Sequence, residues 1–183
     1  MAEGLLRAHL GARGIDASVD SAGLLPGGMP ATTTALEVLA ERGIDLGAHR
    51  SRTLGDAEVD LAAADLVLAM ERRHAQEAAL LVPDARSRTF TLVDLVRRAE
   101  ATDARRPEED LRAWARRLAA GRTTSDLLGV GDDAIADPIG QPRPAYEATA
   151  TLLHGLLGRL LDRAWPDTAA TDAAASDPDA DVA

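Results

Sequence analysis

Apolar positions change period along the chain, and each change predicts an element. Leu5, Leu6 and Leu10 recur at helical spacing, with Met1 one turn before Leu5, so the opening MAEGLLRAHL predicts an amphipathic helix. DASVDSAGL, at 16–24, predicts a short strand running into a turn broken by Gly23, Pro26, Gly27 and Gly28. PATTTALEVLAERG predicts a helix with Pro30 near its start, Gly43 at its end, and Ala35, Leu36 and Leu39 facing inward. The unbroken apolar run ADLVLAM, at 64–70, fits a strand covered on both faces, as in a parallel sheet. A helix follows over about 71–81 and stops before Pro83. SRTFTL, at 87–92, predicts a further strand and VDLVRRAE a further helix.

The stretch at about 102–133 is rich in arginine and acids, and reads as a solvated insertion with one helix near 111–120 anchored by Trp114. IADPIGQPRP is a loop, because its prolines and glycine forbid regular structure. AYEATATLLHGLLGRLLDRA is then a long helix with Leu152, Leu153, Leu156, Leu157, Leu160 and Leu161 on one face. Alternating strands and helices predict an α/β fold, a three-layer sandwich with a parallel sheet. One domain is expected over 1–165, and an acidic, low-complexity, disordered tail over 166–183.

The first helix starts without a cap. No Ser, Thr, Asp or Asn stands ahead of its first turn, so its free N–H groups lack side-chain acceptors. In an alternating α/β pattern, a strand feeding this helix is the element to expect.

Composition narrows the chemistry. A net charge of −10 disfavours nucleic acid or an anionic membrane surface as the main partner. No apolar run reaches the length of a membrane span and no signal peptide is evident, so a cytoplasmic protein is expected. All 20 basic residues are arginine, a bias that fits a GC-rich coding sequence better than arginine-specific recognition. There is no cysteine, which removes disulfides, thiolate metal sites and any cysteine nucleophile from these 183 residues. The four histidines lack ligand spacing, so neither a metal nor another cofactor is expected. The glycines at 23–28 lack the Lys-Ser or Lys-Thr that would follow a nucleotide cradle.

Asp137, in the rigid Asp137-Pro138 loop, is the best candidate for chemistry. A carboxyl held over a pocket can act as a general acid, although Asp-Pro is also a common turn. Arg72 reads as a solvated charge, and His9, His74 and His154 lie on helical patterns with no chemical role expected.

Five segments in order carry a resemblance: MAEGLLR, VDSAG, ALEVLAERGIDLGAHRSR, ADLVLAMERRH and IADPIG. Together they resemble the low molecular weight protein tyrosine phosphatase family, with its arsenate-reductase and protein-arginine-phosphatase relatives, from Met1 to about Ala164. In that family a first strand ends in a phosphate loop of Cys, five residues and Arg, then Ser-Pro-Met-Ala-Glu opening the first helix. This chain begins at the Met of that string. The resemblance therefore implies a truncated form, without the first strand, the nucleophile or the phosphate cradle. Asp137 matches the general acid, while Ser21 and His49 match positions that hydrogen-bond around the phosphate loop.

The implied reaction is metal-free hydrolysis of a phosphorylated protein side chain through a cysteinyl-phosphate. The chain alone is expected to be inactive and to expose unpaired strand edges. Ile139-Gly140 and LLPGGMP stand where tyrosine-specific members often carry aromatic residues, so phosphotyrosine, phosphoarginine and arsenate all stay open as substrates. A noncatalytic phosphoprotein-binding or protein-interaction module, and an unrelated α/β domain, are the alternatives. Oligomeric state is not legible.

Overall fold

The computed structural model describes residues 1–123 and 133–166. Chain order gives α1 (Ala2–Ala12), α2 (Thr33–Ala40), β1 (Val67–Ala69), α3 (Arg72–Leu81), a 3-10 turn (Pro83–Arg88), β2 (Thr89–Thr91), α4 (Leu92–Glu100), α5 (Leu111–Ala119) and α6 (Arg143–Ala164). Strands β1 and β2 pair in parallel, with Val67 opposite Thr89 and Ala69 opposite Thr91. Helices α1, α2 and α4 pack around α6, while α3 lies against both strands. The arrangement is that of an α/β sandwich with a parallel sheet.

Local chemistry sets the helix starts. Thr32, Thr91 and Asp110 each accept a backbone N–H three residues on, capping α2, α4 and α5. No side chain caps α1, as the sequence predicts. Behind these helices lies one apolar core, in which Leu5, Val38, Leu39, Phe90, Leu95, Trp114, Leu157 and Leu160 are all buried.

Three expectations need correction. The strand over 16–24 does not form; a single parallel bridge between Gly23 and Thr53 marks its end. A strand exists only where a neighbour's ladder takes up its N–H and C=O groups, and no ladder flanks this segment among the described residues. The other two strands are shorter than their apolar runs. Arg88, read as part of the later one, instead ends the 3-10 turn and is buried, its guanidinium donating to the carbonyls of Leu61, Ala62, Ala64 and Asp84.

The arginine-rich stretch carries the expected helix, α5, anchored by Trp114. Trp114, Ala115 and Leu118 of α5 are buried in the common core. On α6, Leu152 is 48% exposed and leaves the inner face to Leu153, Leu156, Leu157, Leu160 and Leu161. The acidic tail, from residue 167, and residues 124–132 of the arginine-rich stretch lie outside the described residues.

Candidate active site

The site assembles at the amino end of α1. Glu3, in the first turn, is buried, and its carboxylate collects three partners. Ser21 Oγ donates to Oε2, Arg7 pairs with Oε1 at 2.7 Å, and His49 Nδ1 lies 3.6 Å from Oε2. The two residues singled out from the sequence, Ser21 and His49, thus meet through a third that was not. Arg7 bridges Glu3 to Asp20, 3.9 Å away, and donates to the carbonyl of Val19.

Close approach makes this possible. A Cβ on Gly4 would come within 2.9 Å of Leu46 Cδ2 and 3.0 Å of Ile44 Cγ2, so glycine lets α1 settle on the segment leading to His49. An Asp45 carboxylate accepts the Gly47 N–H at 2.7 Å, and the His49 N–H bonds the Leu46 carbonyl at 3.0 Å. This tight turn aims the histidine back at α1.

Ser21 is fixed from the other side. Arg52 Nε donates to the Ser21 carbonyl at 3.2 Å, and its Nη2 pairs with Asp20 at 2.9 Å. Beyond Ser21, the glycine-rich loop is zipped to 50–54. Gly28 N–H bonds Ser51 O at 2.7 Å, Ser51 N–H bonds Met29 O at 2.8 Å, and Leu54 N–H bonds Gly23 O at 2.8 Å. Leu25 and Met29 at its tip are exposed, as is Ile139 after the Asp-Pro pair.

Asp137 approaches the same end of α1. Burial holds the Met1 ammonium below its usual range, and the carboxylates of Glu3 and Asp137 pull it back up. Asp137 is exposed, and its Oδ1 accepts the Ile139 N–H at 3.0 Å, an Asx turn that orients the carboxyl. The helix amino end adds positive potential and open N–H groups, a natural seat for an anion. Asp137 and the Glu3 cluster thus both act electrostatically on the amino end of α1.

Sequence reasoning missed three contributors. Glu3 could have been found as a carboxylate in an uncapped first turn, flanked by positions that pack inward. Arg52 lies within the HRSR string but gave no separate signal. Arg72 was read as a solvated charge; it is mostly buried, with Nε donating to Asp133 Oδ1 at 2.7 Å. No spacing rule links residues 61 apart. Among the described residues, no group of three or more His, Asp or Glu could hold a metal ion, and no helix is long and apolar enough to cross a membrane.

Comparison with known proteins gives the family and the fold. The family profile described as low molecular weight phosphotyrosine protein phosphatase matches residues 1–114. A low molecular weight protein tyrosine phosphatase from T. tengcongensis is 31% identical, with a TM-score of 0.64 over 88% of this chain and 87% of that one. The YwlE arginine phosphatase from Geobacillus stearothermophilus is 28% identical, with a TM-score of 0.60 over 96% and 86% of the two chains. The solution structure of a low molecular weight protein tyrosine phosphatase from Bacillus subtilis is also 28% identical, with a TM-score of 0.61 over 88% and 85%. No curated protein matches. With its matched segment running from the Glu3 end of α1 into α5, the chain belongs to the low molecular weight phosphotyrosine protein phosphatase family.

Proposed function

We propose that the chain supplies the proton donor and the scaffold for hydrolysis of a phosphorylated protein side chain, with the attacking thiolate placed at the amino end of α1. The observation that carries this reading is the joining of Ser21 and His49 through Glu3 at an uncapped helix end that Asp137 also approaches. Asp137 protonates the leaving atom as a thiolate takes the phosphoryl group. It then draws a proton from the water that attacks the phosphocysteine, completing two steps without metal. Ser21 and His49 hold the surroundings of the phosphate seat through Glu3. The reading places the reaction in the cytoplasm, among phosphorylated proteins.

These residues contain no cysteine, so the chain by itself forms no such intermediate. Covalent transfer in the fold is supported by a YwlE arginine phosphatase mutant solved with a phosphorylated active-site serine, 28% identical to this chain. Phosphotyrosine is the substrate class of the family, and phosphoarginine fits equally an acid loop lined by Ile139 rather than an aromatic ring. The missing thiol favours a second reading, a module that binds phosphorylated side chains without turning them over.

The test joins a strand and a Cys-five residues-Arg-Ser-Pro loop ahead of Met1 and assays matched phosphotyrosine and phosphoarginine peptides. Hydrolysis of either, lost in Asp137→Asn, supports the enzyme reading. Peptide binding by the unextended chain, with no hydrolysis after the loop is added, supports the binding module.

A further inference from the structure

The acid loop is held at its base by a charge-locked contact that the proposed reaction does not itself use. Asp133 is buried at 6% exposure, four residues before Asp137. Its Oδ1 accepts from Arg72 Nε at 2.7 Å, at the start of α3, and its Oδ2 accepts from Thr91 Oγ1 at 2.8 Å, at the end of β2. The Thr91 hydroxyl is also the cap of α4, accepting the Asp94 N–H at 3.2 Å. Having accepted that N–H, it turns its single proton toward Asp133. The ionised carboxylate accepts strongly on both oxygens, and protonating either one weakens the bond made there.

Two residues on, the loop is fixed again. Ile135 is buried in the core, and its N–H bonds the Met70 carbonyl at the end of β1 at 2.8 Å. The Thr149 hydroxyl reaches the Ala136 carbonyl at 3.4 Å. The chain is thus tied to α3, β2, β1 and α6 within the four residues leading to Asp137.

We propose that Asp133 is the positioning residue for Asp137, a latch that sets where the acid loop leaves the sheet. The inference rests on Asp137 being the proton donor. Burial raises the Asp133 carboxyl, but the bonds from Arg72 and Thr91 outweigh it and hold the group below the ordinary carboxylate range. Among the described residues, the charged side chains around it are Arg72 from α3, Asp94 from α4 and Arg122 beyond α5. With the folded value depressed, the latch is complete above the unfolded carboxylate range and opens as pH falls through the folded value.

Amide hydrogen exchange on the 183-residue chain, resolved by NMR, tests the latch without needing turnover. In Asp133→Asn the Ile135 amide exchanges at least tenfold faster, while Leu95 and Leu157 amides keep their wild-type protection. In the wild type, Ile135 protection, corrected for intrinsic exchange, falls in acid; in Asp133→Asn that pH dependence is gone. Arg72→Gln gives a smaller gain in exchange at the same amide. Unchanged Ile135 exchange in Asp133→Asn overturns the proposal. So does a gain shared equally by Leu95 and Leu157, because that reports global loosening rather than a latch. A phosphatase assay of the loop-extended chain separates the two readings. If Asp137→Asn leaves hydrolysis intact while Ile135 still responds to Asp133, the proton-donor reading fails and the latch holds a loop with no acid.

Discussion

His49 Nδ1 lies 3.6 Å from Glu3 Oε2, the oxygen that also takes the Ser21 hydroxyl. Glu3 sits on the first turn of α1, Ser21 before a glycine-rich loop and His49 after a tight turn, so three separate segments converge on one buried carboxylate. Such networks are strongly coupled, because removing one member strands the others. Glu3→Ala is expected to lower stability by about 0.5–1.5 kcal/mol, since it leaves the part-buried Ser21 and His49 side chains without their shared acceptor. Ser21→Ala is expected to cost about 0.5–1.5 kcal/mol. A double-mutant cycle read from urea midpoints should give a coupling of at least about 0.5 kcal/mol. Strictly additive costs would mean that Ser21 and Glu3 do not act together.

Gly4 decides whether that convergence can occur. Its built Cβ would be 2.9 Å from Leu46 Cδ2, the mobile end of a side chain, so Gly4→Ala is expected to be absorbed by a small rotation. Gly4→Val brings two further carbons against Ile44 and Leu46 and is expected to cost about 1–3 kcal/mol through overpacking. The sharper readout is spectroscopic. Chemical shifts of the His49 imidazole should move in Gly4→Val and stay near wild type in Gly4→Ala. Equal behaviour of the two variants would show that the contact carries no constraint on His49.

The order of helices and the parallel sheet were legible in the sequence, because helical periodicity and unbroken apolar runs report burial directly. Leu5, Leu39 and the Leu156–Leu157 pair went where their spacing put them. What escaped were features made by partners distant in sequence. The 16–24 segment reads as a strand from its own residues, but strand formation depends on a flanking ladder that no local pattern encodes. Trp114 was read as the anchor of its helix, but burial of Ala115 and Leu118 beside it could not be weighed without knowing what α5 packs against. Asp137, Ser21 and His49 were singled out through their motifs. Glu3, Arg52 and Asp133 are tied in through contacts, and contacts between distant residues leave no spacing to read.

Trp114 offers a test of the core assignment for α5. Its side chain is fully buried, and its indole N–H has no partner among the described residues. Trp114→Ala is expected to cost about 3–5 kcal/mol. Trp114→Phe removes the unpaired donor while keeping most of the volume, and is expected to cost less than about 1.5 kcal/mol. Denaturation midpoints with unchanged slope would check both. An exposed indole, revealed by wild-type fluorescence that quenches freely with iodide, would contradict the placement.

Acid sensitivity should trace in part to the α1–α6 contact. The His9 and His154 rings lie 4.3 Å apart between centroids, and burial, then His154, then Arg13 hold the His9 imidazole below its ordinary value, against Asp162. A depressed histidine means the unfolded chain takes up its proton first. Stability from neutral His9 is therefore full above pH 6.5 and declines as pH falls below that unfolded value, until the folded imidazole titrates too. Melting temperatures measured from pH 7.5 to 5 should fall less steeply in His9→Gln than in wild type. Parallel curves would remove His9 from the account.

Phosphate release from an aryl phosphate tests the central claim, that the chain holds the acid and its scaffold while the chemistry waits on a thiolate at the amino end of α1. The purified 183-residue chain is expected to release none. Joined to a strand and a Cys-five residues-Arg-Ser-Pro loop, it is expected to turn over, with Asp137→Asn lowering the rate by about 10²–10⁴-fold. Release by the unextended chain at a rate that responds to Asp137→Asn would contradict the account.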